Sequence, residues 1–146
     1  MTLLYGERMD VRFAAGFGPI VRDDAASRTF YRDDLGLPLH ESPPGYLHTN
    51  SLGGVKAFAL WRLTDAAQST FGTAEWPAHL PVPQAWLEFE LASPDAVADG
   101  ERELREAGHE ILVSTHVEPW GQTTARLLSP EGMLVGLSFF QELHDD

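Results

Sequence analysis

Two stretches of this chain, offset by about seventy residues, spell the same order of elements, and that repeat constrains the fold more than any other feature. The first covers residues 11–63 and the second residues 84–140. Each opens on an extended segment, passes into a helix and ends in short strands, giving a β-α-β-β-β unit twice. Residues 64–83 between them are polar and carry Pro77, Pro81 and Pro83, which suits a connecting loop. Residues 1–146 therefore read as one α+β domain of two modules.

The helix ends carry the signals that fix them. Asp23 or Asp24 can cap a first helix that opens at residue 25, and Ser93 a second, with Pro94 suited to the first helical position. Gly36 and Gly108 follow the two C-termini, where a left-handed residue is usually needed. In the second helix Val97, Gly100, Leu104 and Ala107 recur at helical spacing and make one packing face, with the charged residues between them solvated. Residues 55–61 form an apolar run short enough for a buried strand. The turn Ser129-Pro130-Glu131-Gly132 introduces another over residues 133–140.

Composition narrows the function classes. The charge is −12, from 22 acidic and 10 basic residues, so nucleic acid is a poor partner. The acidity either draws a cationic small molecule or serves solubility alone. Without cysteine, the chain has no disulfide framework, thiolate metal site or thiol nucleophile. No apolar run reaches bilayer-spanning length and residues 1–8 lack a secretion signal, so a cytoplasmic location without membrane contact is expected. The six histidines show no paired ligand spacing, although His48 and His116 can still meet in a cavity. No nucleophile elbow and no complete phosphate-binding glycine loop appears.

The phrase Ser27-Arg28-Thr29-Phe30-Tyr31-Arg32-Asp33-Asp34-Leu35-Gly36-Leu37 resembles the S-x-x-F-Y-x-x-x-L-G-L signature of the vicinal oxygen chelate superfamily, the glyoxalase, bleomycin-resistance and extradiol dioxygenase group. Ser129-Pro130-Glu131-Gly132 resembles its D-P-D-G turn, and Trp120-Gly121-Gln122 resembles the W-G motif of bleomycin-resistance-type members. The resemblance covers roughly residues 11–140 and implies curved mixed sheets around a cavity. It also implies a homodimer and, in metal-dependent members, His, Glu or Gln ligands on four strands. Gly16, Trp86 and Gly136 stand at three of those positions, and residues 54–61 on the remaining strand offer no His, Glu or Gln. The expectation is therefore no metal and no cofactor.

Strand alternation puts Trp86, Glu88 and Glu90 on the cavity face, with Leu87, Phe89 and Leu91 beneath the helices. Trp86 either contacts a ligand or fills an inactive cavity. Trp120 either covers a groove or anchors its hairpin. Phe58 and Trp61, from the first module, are further candidates for the ligand-binding wall. The resulting expectation is a metal-independent protein binding a small organic molecule, such as a cationic antibiotic or toxic metabolite. The alternatives are a metal-dependent lyase, isomerase or dioxygenase with displaced ligands, and a structural or regulatory dimer with a collapsed cavity.

Overall fold

The computed structural model describes residues 8–144. Eight strands form a single sheet in the order β2-β3-β4-β1-β5-β8-β7-β6. The first module supplies β1 (Phe13–Val21), α1 (Asp24–Arg28), β2 (His40–Glu41), β3 (Leu47–Thr49) and β4 (Ala57–Arg62). The second supplies β5 (Ala85–Glu90), α3 (Pro94–Glu106), β6 (Ile111–Val117), β7 (Thr123–Leu128) and β8 (Leu134–Phe139). Within each module the first strand pairs parallel with the last, β1 with β4 and β5 with β8. Antiparallel pairing of β1 with β5 joins the two halves into one sheet.

The caps resolve as the residue types dictate. Asp23 is the first N-cap, its carboxylate accepting from the Ala26 amide at 3.0 Å, and Ser93 caps α3 by accepting from the Ala96 amide at 3.0 Å. The first helix departs from regularity: after Arg28 it continues in wider π turns over Thr29–Asp34 before Gly36 turns it out at φ 73°. Val97 is fully buried, and Leu104 packs with Leu91, Ala125 and Leu137 on the convex side of the second module. Val21, Leu39, Leu47, Phe58 and Leu60 make the equivalent core of the first.

The segment expected to be a loop contains a helix, α2 (Leu63–Phe71). Ala66, Ala67 and Thr70 are its buried residues, and Gly72 closes it in the left-handed conformation at φ 78°. Small side chains hid that stripe from a reading based on large apolar residues. Ala66 packs with Ile20, Ala59, Trp86 and Leu134, so α2 lies against the opposite face of the sheet from α1 and α3. Beyond it the chain runs without regular structure, held by Trp76, which stacks edge-on against Phe71 and donates to the Pro81 carbonyl at 2.9 Å. Among the described residues no helix is long and apolar enough to cross a membrane.

Candidate functional site

The concave face of the sheet encloses a cavity of about 610 Å³. Trp86 and Glu88 bring it to the junction of the modules. There Glu88 of β5 pairs in register with Gly16 of β1 on one side and Gly136 of β8 on the other. The two glycines make room for their neighbours. A Cβ on Gly136 would stand 3.1 Å from the Glu88 Cγ, and one on Gly16 would stand 2.9 Å from the Trp86 ring. The Trp86 indole thus fills the space above β1, and its Nε1 donates to the Ala59 carbonyl at 3.2 Å. Trp61 meets it edge-on, with ring centroids 6.2 Å apart. Trp120 lines the cavity yet is 52% exposed, so it stands at the rim.

Polar groups converge beneath these rings. The turn after β6 places Gly121 at φ 96°, a left-handed conformation that favours glycine, and delivers Trp120 and Gln122 on either side. Trp120 Nε1 donates to Gln122 Oε1 at 2.7 Å. The Gln122 amide in turn donates to Glu88 Oε1 at 2.9 Å and to Ser138 Oγ at 2.8 Å. The side chain of Trp120 therefore both borders the cavity and anchors its hairpin.

Arg126 is the residue that sequence reasoning missed. It lies on β7 with its side chain 1% exposed, its guanidinium 5.1 Å over the Trp61 ring. It donates to Glu118 Oε2 at 2.6 Å and to Ser69 Oγ at 3.1 Å, and stands 3.8 Å from Glu88 Oε2. A lone arginine inside the apolar run Ala125-Arg126-Leu127-Leu128 was the available signal, since such a charge is buried only with a partner. Burial alone would push the Glu118 carboxyl up; the Arg126 charge and hydrogen bonds from Arg126, His116 and Ser69 overcome it and hold the group below its ordinary value. Glu88 goes the other way. Burial pushes it up, with Arg126 and Gln122 only partly countering. Burial also raises Tyr46 on the same wall, with the Glu88 charge adding to the effect.

The sequence candidates separate into two groups. Trp86, Glu88, Trp120 and Trp61 come together around the cavity. Glu90 does not. It is fully buried at the end of β5, accepting from Ser138 Oγ at 2.7 Å and the Phe140 amide at 2.6 Å, with His144 Nε2 at 2.8 Å. Alternation put Glu90 on the right face, but the chain after β8 folds over it. Phe58 touches the cavity edge while its ring packs on the convex side, against Phe17 and Tyr31. His48 lines the cavity and His116 instead pairs with Glu118 at 2.8 Å, so the two histidines do not form a shared site.

No family model matches this chain, and no curated protein matches it. Solved structures do. A glyoxalase/bleomycin resistance protein/dioxygenase superfamily member from Vibrio splendidus 12B01 superposes with a TM-score of 0.58 at 15% identity, over 90% of this chain and 100% of that one. An extradiol ring-cleaving dioxygenase from B. fuscum gives 0.59 at 20% identity, over 89% of this chain and 33% of that one. A 2,2',3-trihydroxybiphenyl 1,2-dioxygenase from Sphingomonas wittichii strain RW1 gives 0.54 at 16% identity, over 87% and 42%. The chain has the vicinal oxygen chelate fold. It spans the full length of the first of these proteins and less than half of either dioxygenase.

Metal-dependent vicinal oxygen chelate proteins need donor side chains converging from the strands that meet at the module junction. Here those strands offer Gly16, Trp86 and Gly136, with Glu88 the carboxylate between the glycines. Glu88 already accepts from Gln122 and faces the Arg126 guanidinium, which repels a cation. Among the described residues no group of three or more His, Asp or Glu side chains is placed to hold a metal. The donor set does not fit a divalent ion at this position.

Proposed function

We propose that this chain binds a small organic molecule carrying ring surface in the concave cavity, without a metal at the junction of its modules, and sequesters it rather than transforming it. The observation that carries this reading is the Trp86 indole lying over Gly16, where it replaces donors with a flat apolar wall. Trp61 and Trp120 extend that wall, and a cavity of about 610 Å³ has the size of small-molecule sites. A second copy of the chain completes the site: Trp120 at the rim and nearby Val117 are exposed apolar side chains suited to an interface between subunits.

Titration with a panel of aromatic compounds, bleomycin-type drugs included, followed by tryptophan fluorescence, tests the reading. Quenching by a subset of the panel is the expected result, with protein purified from rich medium free of stoichiometric Fe, Mn, Ni or Zn. A tightly held transition ion at one per chain, or no response across the panel, overturns it.

A further inference from the structure

The cavity's polar end already holds a cation of its own. Arg126 is fixed over Trp61 by Glu118 and Ser69, so the aromatic face and the carboxylate that would greet a cationic guest are engaged within the chain. Glu90 is likewise consumed, by Ser138, Phe140 and His144. What stays open to the cavity is Glu88, whose side chain is 14% exposed, with Oε1 taken by Gln122 and Oε2 facing Arg126. The 3.8 Å between Glu88 Oε2 and the Arg126 guanidinium is too long for a hydrogen bond. It suits a third atom placed to one side of the line joining them, at ordinary hydrogen-bond distance from each.

Resting on the binding reading above, we propose that the ligand is a flat, uncharged molecule whose conjugated carbonyl oxygen sits between Glu88 and Arg126, accepting a hydrogen bond from each. Its rings then lie along the Trp86 side of the cavity. The ionisable groups facing Glu88 are Arg126 of β7, Glu118 at the end of β6, Glu90 of its own strand and Tyr46 ahead of β3. Burial dominates among them and favours the neutral carboxyl, the form that donates. The Arg126–Glu118 pair balances its own charge, so the cavity floor presents donors rather than net negative charge.

Calorimetric titration with three fused bicyclic probes decides the matter: 1-methyl-2-quinolone (neutral, with a carbonyl), 2-methylnaphthalene (neutral, without an acceptor) and 1-methylquinolinium (cationic). The quinolone is expected to bind about tenfold more tightly than either, the gain of a hydrogen bond to a charged or polar partner. Its affinity should fall as pH rises above the ordinary carboxyl value and Glu88 ionises, because the ionised group cannot donate and repels the carbonyl. Glu88→Gln keeps a donor and loses the ionisation, so it should bind the quinolone with a flat pH profile, whereas Glu88→Leu keeps only the Arg126 donor and should narrow the preference for the quinolone over the other neutral probe. Equal or tighter binding of the cation, or a pH profile unchanged in Glu88→Gln, overturns the carbonyl assignment and leaves ring binding standing. Absence of binding by all three overturns both.

Discussion

Trp86 and Gly18 are register partners on β5 and β1, and the Trp86 Nε1 stands 3.0 Å from where a Gly18 side chain would begin. The same side chain would collide with the Ala59 carbonyl oxygen, the acceptor of the Trp86 hydrogen bond. The glycine is therefore what lets β1, β4 and the indole approach one another. Gly18→Ala should lower stability by about 1–3 kcal/mol, the usual cost of overpacking where backbone must yield. The urea midpoint measures it, and a change within experimental error would show that β1 and β4 separate freely.

Arg126 and Glu118 should behave as a unit. Arg126→Met leaves Glu118, 3% exposed, without its main countercharge, and should cost about 3–5 kcal/mol. Adding Glu118→Gln should recover much of that loss, since the residual buried charge is gone. A double-mutant cycle by chemical denaturation reads the coupling. Additive losses would mean the pair is not what holds Arg126 over Trp61.

The chain should lose stability in acid through identifiable groups. Glu101 accepts from the Thr115 amide and hydroxyl at 2.6 and 2.7 Å and from Arg105 at 2.9 Å; these bonds outweigh its burial and take its carboxyl from 4.5 to about 2. A carboxyl lowered by folding stabilises above its unfolded value, and that contribution disappears as pH falls toward the folded one. Stability should thus decline between pH 4.5 and about 2, with Glu118 acting in the same direction. Glu101→Gln should be less stable than the parent at neutral pH and flatter with pH in the acid range. Equal acid slopes for the two proteins would assign the effect elsewhere.

The order of elements and the Ser93 cap were legible because each rests on local chemistry, and Val97 and Gly100 mark a face by spacing; at the first helix the sequence left Asp23 and Asp24 as alternatives, and the Asp23 carboxylate takes the Ala26 amide. The α2 helix was not legible, since its buried face is made of Ala66, Ala67 and Thr70, whose small or polar side chains give little periodic contrast. Trp86 was readable as a cavity residue through the family resemblance, and strand alternation then put Glu88 on the same face. Alternation carries no information about what later chain covers a strand's end, so Glu90 was placed on the correct face and in the wrong environment. Arg126 depended on pairing across the sheet with a loop glutamate and a serine from α2, contacts that no local pattern encodes.

That difference between Glu88 and Glu90 makes the sharpest test of the site. Both occupy one face of β5, two residues apart, and a reading from spacing treats them alike. Glu90 is fully buried and satisfied by Ser138, the Phe140 amide and His144, so it holds the end of β8 and the turn of 3₁₀ helix at Gln141–His144. Glu90→Leu should cost several kcal/mol by stranding those donors, about 1–3 kcal/mol for each one left unpaired. Glu88 has a carboxyl raised by burial, so its ionisation opposes folding: the cost is absent below the unfolded value and grows as pH rises above it. Glu88→Gln should therefore leave stability unchanged in mild acid and raise it relative to the parent at alkaline pH. Thermal midpoints at two pH values separate these outcomes. Equal losses from the two substitutions would mean that both carboxylates are structural, and that the cavity floor is set for packing rather than for a ligand.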